Sequence, residues 1–250
     1  MYKLYVIPGS HACRSAILML DHKRIPYRRV EFVTLTHPLF ARLNGFDGGG
    51  ETRAAHGKRT TGIRLGDLLG TVPGLKADGE RVSTNRKIAR FLDRTHPAPP
   101  LFPAAPERRA AVEDAESWAN GELQMAARLL VIPAFLRDRA TFARRTADGR
   151  LGPLLFRHEF ARRLTAPVIA STFASGPTTD RDQVSALPGM LDRIDGLIAA
   201  GVLGGEELNA ADFMVAPSLA LILYRDDLRP LFDGRPALAL VDRLLPEPAR

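Results

Sequence analysis

The stretch HPAPPLFPAAP, residues 96–106, carries five prolines in eleven positions. That density excludes both an uninterrupted helix and a central strand. It divides the chain into halves with different periodicities. Ahead of it, YKLYVI reads as a strand, ACRSAILMLDHKR as a helix with Ala16, Met19 and Leu20 on one side, and YRRVEFV as a second strand, so the chain opens β-α-β. A short helical piece around PLFARLN leads into residues 45–70, too glycine-rich and polar for a regular element and expected as a long loop. TVPGLKADGERVS predicts two short strands hinged at Asp78-Gly79, and NRKIARFLD a helix with Ile88, Phe91 and Leu92 facing inward. Beyond the prolines the pattern is helical. Val112, Ala115, Ala119, Leu123, Ala126 and Leu130 recur at steps of three and four, as do Leu187, Leu191, Ile194 and Ile198. Pro133, Pro167 and Pro188 are expected to end or kink their helices. The domain reading is therefore an α/β domain over 1–96, a proline-rich linker over 97–106 and an all-helical domain over 107–250.

Charge narrows the partners. The chain carries +7 overall, but residues 1–96 hold 17 Lys plus Arg against 8 Asp plus Glu, while residues 97–250 hold 18 against 20. The balances, +9 and −2, suit an anionic ligand for the first half or simply a solvated arginine-rich face. Aromatic residues interleave poorly with the basic ones, so no nucleic-acid partner is expected. No apolar run is long enough to span a bilayer, and Met1 leads directly into strand-like sequence, so the expectation is a cytoplasmic protein with no membrane partner. One cysteine forms no internal disulfide and no cysteine-rich metal site. The six histidines lack i, i+4 pairing, and no metal is expected. GGGETRAAHGKR is not a phosphate-binding loop, because six residues separate Gly50 from Gly57 and Arg59 stands where Ser or Thr is required.

Chemistry concentrates at Ser10, His11 and Cys13, placed by Pro8-Gly9 at the start of the first helix. A serine there is a good N-cap and needs no further role. The same helix end offers unpaired N–H donors and a partial positive charge, which stabilise an anion such as a thiolate. Cys13 in the first turn is either a thiol of lowered pKa or a buried apolar residue. His11 is either a base or a polar first-turn residue.

The order of these parts resembles the cytosolic glutathione transferases over nearly the whole chain: a strand, Ser10 at a helix start, a second strand, TVPGL before a hairpin and helix, a proline-rich break, then helices. LGGEELNAADFMVAPSLALIL is a second match, with Asn209 and Asp212 at capping-box spacing. The resemblance implies a thioredoxin-like domain followed by a helical domain, and a cis peptide at Val72-Pro73. It also implies glutathione or an analogous low-molecular-weight thiol as cosubstrate, a small electrophile, a detoxifying transferase activity and a homodimer. SHACRSAILML looks most like the serine-type members, which makes Ser10 the residue that polarises the thiol. His11, Cys13, Val72, Pro73, Thr84 and Asn85 then surround the thiol, and Trp118, Met125 and Arg128 line the electrophile site at steps of seven and three.

The chain departs from that family where a Glu-Ser pair usually precedes the helix after the hairpin: Thr84-Asn85 stands there instead. The glycine-rich insertion also has no counterpart. Two other functions fit the same scaffold, a non-catalytic ligand-binding or interaction protein and a thiol-disulfide or peroxide reductase centred on Cys13.

Overall fold

The computed structural model describes residues 1–33, 36–47, 70–137, 150–151 and 177–247. Pro167 and residues 48–69 of the expected loop lie outside them. The β-α-β opening is β1 (Tyr2–Val6), α1 (His11–His22) and β2 (Tyr27–Glu31), followed by α2 (His37–Leu43). The hairpin is β3 (Gly74–Ala77) and β4 (Glu80–Ser83), closed by Asp78 at φ +50° and Gly79 at φ +86°, the two positive angles of a tight hairpin turn. α3 (Asn85–Thr95) completes this half. The sheet order is β2-β1-β3-β4, with β1 parallel to β2 and antiparallel to β3, as a helical crossover followed by a hairpin dictates.

The pleat sorts the side chains. Tyr2, Leu4 and Val6 point with Leu75 and Ala77 toward α1 and α3, where Ala16, Met19, Leu20, Ile88 and Leu92 are fully buried. Tyr5 points the other way and packs on Phe46 and Ala41. Phe46 is fully buried although it falls in the segment expected as loop, and a Cβ on Gly74 would meet its ring at 2.8 Å.

The helical half comprises α4 (Pro106–Trp118), a π-helical turn (Ala119–Leu123), α5 (Gln124–Arg137), α6 (Pro177–Ala199), α7 (Ala210–Ile222), a 3-10 turn (Asp226–Phe232) and α8 (Pro236–Leu244). Val112 to Leu130 are buried at the expected positions, but the ladder is not one regular helix, because the π turn widens it between Ala119 and Leu123. Pro133 and Pro188 sit inside α5 and α6 and do not end them. Buried neighbours such as Leu130, Val131, Leu187 and Leu191 hold those helices in place against the roughly 3 kcal/mol that an internal proline costs.

Every residue of α7 is buried, so its orphan N–H groups require partners. The expected capping box supplies them. Asn209 Oδ1 accepts from the Ala211 N–H at 2.9 Å, and Asp212 accepts from the Asn209 and Gly204 N–H groups at 2.9 and 2.7 Å. Burial pushes the Asp212 carboxyl up to about 6, against the pull of those two donors.

The two halves are fastened, not tethered. Leu101 and Phe102 of the proline-rich stretch are core residues, and Lys23 donates to the carbonyls of His96 and Pro99 at 2.5 and 2.7 Å. Glu116 on α4 is fully buried and receives Arg90 at 2.7 Å and Arg86 at 3.3 Å from α3. Removing the acid takes from both guanidinium groups their buried carboxylate at this junction. Glu116→Ala is expected to cost about 1.5–3 kcal/mol in chemical denaturation; an unchanged midpoint would mean that water already satisfies both arginines.

Candidate active site

Ser10 caps α1 in extended conformation, and its Oγ accepts from the Cys13 N–H at 3.3 Å. Its carbonyl accepts the first helical bond, from Arg14 at 2.9 Å. Gly9 makes the approach possible, since φ there is +69°. The N–H groups of His11 and Ala12 stay outside the helical ladder, at the positive end of the helix.

A second helix start lies across the sheet. Val72-Pro73 is cis, as the resemblance implies, and stands just before the β1–β3 ladder begins at Gly74. The Pro73 carbonyl accepts from the Thr84 N–H at 3.2 Å. Thr84 has φ +70°, an uncommon and costly conformation for a β-branched residue. It caps α3, accepting from the Lys87 N–H at 3.5 Å, and turns Asn85 inward. Asn85 is 3% exposed and its Oδ1 accepts no hydrogen bond.

These pieces meet in a cleft of about 60 Å³. α1 contributes Ala12, the strand approach Thr71, Val72 and Pro73, and the α3 start Thr84 and Asn85. The helical half contributes Asn120 and Gly121 from the π turn, then Gln124, Met125 and Arg128 from α5. Arg128 donates to Gln124 Oε1 at 3.3 Å, and its charge is felt at both His11 and Cys13.

Of the residues expected at the site, Val72, Pro73, Thr84, Asn85, Met125 and Arg128 line this cleft. Ser10, His11 and Cys13 adjoin it through Ala12 without lining it. Trp118 lies elsewhere. It is buried, donates from Nε1 to Glu122 at 3.1 Å, and carries the Arg193 guanidinium 4.4 Å from its ring centroid. A step of seven puts Trp118 and Met125 on one face of a regular α-helix, but the π turn between them throws their faces out of phase. Asn120 and Gln124 were hidden by the same turn; Gly121 inside a helical pattern was the one signal of irregularity.

His11 is buried, and burial with the nearby Arg128 charge holds its imidazole well below the usual histidine range, so it is neutral near pH 7. Cys13 differs from the first-turn expectation. Burial pushes its thiol up to about 11, outweighing the hydrogen bonds to Ile7 and Ser10. A larger concavity, of about 540 Å³, lies between the proline-rich stretch and the turn before α7 and holds none of the expected site residues.

No family model matches the sequence, and no curated protein matches it. Solved structures do. The glutathione transferase GSTFuA3 from Phanerochaete chrysosporium aligns at TM-score 0.68 and 16% identity, over 97% of this chain and 95% of that one. The glutathione S-transferase CsGST63524 of Ceriporiopsis subvermispora, in complex with glutathione, aligns at 0.61 and 16%, over 97% and 96%. FzlA from C. crescentus aligns at 0.58 and 19%, over 97% and 87%. The chain therefore has the glutathione S-transferase fold over nearly its whole length.

The raised Cys13 thiol yields a direct check. Alkylation of the native chain by iodoacetamide should be negligible at pH 7.5 and rise only as pH approaches about 11 or the protein unfolds. Rapid labelling at neutral pH would show that Cys13 is an exposed thiolate.

Proposed function

We propose that this chain, a glutathione S-transferase by fold, is an enzyme of that type: it binds glutathione or a related low-molecular-weight thiol and transfers it to a small electrophile. The observation that carries the reading is the convergence of two helix starts, α1 at Ala12 and α3 at Asn85, on one cleft with Val72-Pro73 between them. Such a cleft gathers backbone N–H donors where an anionic thiol needs them.

In this reading Ser10 donates its hydroxyl hydrogen to the sulfur, and the end of α1 adds its positive potential. The thiol loses its proton to solvent and persists as thiolate at neutral pH. The sulfur then forms a bond to the electrophilic carbon, and the leaving group departs with its electron pair. In an addition nothing leaves: the π electrons move to the neighbouring atom, which takes up a proton from solvent. Met125 faces the electrophile. Cys13, buried and with its thiol raised, takes no part, which weighs against the reductase reading.

The non-catalytic alternative has an observation of its own. A cleft of about 60 Å³ is far smaller than the roughly 300–1,000 Å³ of typical ligand pockets, so catalysis requires it to open. A cytoplasmic, detoxifying homodimer completes the proposal. α2 supports the dimer, since Leu39 and Leu43 are 54% and 72% exposed on a short helix beside the likewise exposed Val33. Light scattering at micromolar concentration should give a dimer mass in low and in high salt; a monomer in low salt would remove this part.

Substitution at Ser10 separates capping from chemistry. Ser10→Asn keeps a good N-cap and should hold the melting temperature, yet lose the hydroxyl. Conjugation of glutathione to a chlorodinitrobenzene acceptor should fall by roughly 10- to 1,000-fold in Ser10→Ala and Ser10→Asn, about 1.5–4 kcal/mol. The bound thiol, followed by thiolate absorbance, should ionise at higher pH in both. Unchanged rate and ionisation would leave Ser10 a cap, and absence of turnover in the wild type would favour the binding-protein reading.

A further inference from the structure

Charge in the cleft is one-sided. Among the described lining residues the only ionisable group is Arg128, and its one hydrogen-bond partner among described residues is the neutral Gln124. Among the described residues no carboxylate meets this partly desolvated guanidinium, so an anionic group on a ligand is complementary to it. The starts of α1 and α3 add their positive potential to the same space. Asn85 supplies an independent observation. Only 3% of it is exposed, it lines the cleft, and among the described residues its Oδ1 accepts nothing, so a donor on a ligand would satisfy that oxygen.

A free ammonium group on the ligand is poorly served here. It would find a neutral amide oxygen and no carboxylate among the described lining residues, and would share the cleft with the Arg128 cation. A neutral amide N–H satisfies Asn85 without that repulsion, while a carboxylate on the same ligand pairs with Arg128 in fork geometry.

Resting on the transferase reading above, we infer that Arg128 and Asn85 select a carboxylate-bearing thiol whose amine is blocked as an amide, in preference to one carrying a free ammonium. Arg128 is the carboxylate receptor and Asn85 the acceptor for the amide N–H.

The test is calorimetric titration of the full chain with three probes: glutathione, glutathione acetylated on its amine, and the dimethyl ester of that acetylated thiol. The acetylated thiol should bind about three- to tenfold more tightly than glutathione, and the ester at least tenfold more weakly than its parent acid. Arg128→Met should remove that preference for the free acid. Binding of the acetylated thiol no tighter than that of glutathione, or equal binding of acid and ester by the wild type, would overturn the inference while leaving the transferase reading intact. No binding of any of the three would remove both. The comparison of probes on the wild-type chain stands even where a variant fails to fold.

Discussion

Complete burial of α7 is the constraint on which the rest depends. A helix buried along its whole length has little solvent to satisfy its ends, and the first turn is closed because Asn209, Asp212 and the Leu101 carbonyl accept the free N–H groups around it. Four elements of the helical half pack on α7, and from the other half α1 packs along it, with the His22 ring 5.1 Å from that of Phe213. The back of α1 is thus set by α7. Its front, where Ser10 caps the helix, is thereby held against the sheet and the start of α3.

The junction between the halves uses charge in the same service. Lys23 clamps the proline-rich stretch at two carbonyls, and Glu116 holds two arginines of α3. Buried ion pairs add little net stability over apolar packing, but they penalise misplacement heavily because either charge alone is costly. Their value here is positional. α3 carries Asn85 at its start and Arg86 and Arg90 further along, so the contacts that fix α3 against α4 also set one wall of the cleft relative to the other.

Much of this was legible in the chain because local and global signals agree. Ser10 after Pro8-Gly9 reads as a helix start, Asp78-Gly79 as a hairpin turn and Asn209-Asp212 as a buried cap, and each is found as such. The features that escaped depend on geometry that periodicity does not encode. The π turn keeps the apolar steps from Val112 to Leu130 intact while rotating α5 relative to α4, which carries Trp118 away from Met125 and brings Asn120 and Gln124 to the cleft. Phe46 stands in a glycine-rich run that reads as loop, yet it fills the space left by Gly74, a three-dimensional match invisible along one strand of sequence. Burial outweighing the helix end at Cys13 is likewise a property of packing, which sets the thiol's surroundings only once the core closes.

The central claim is that the end of α1 capped by Ser10 holds a thiol as thiolate. A crystal structure of the chain soaked with glutathione tests it most directly. The account places the sulfur at hydrogen-bonding distance from Ser10 Oγ, about 3.3–3.5 Å, with the rest of the ligand running past Val72-Pro73 toward Asn85. Sulfur density bonded to Cys13, or glutathione seated only in the groove before α7, would contradict it.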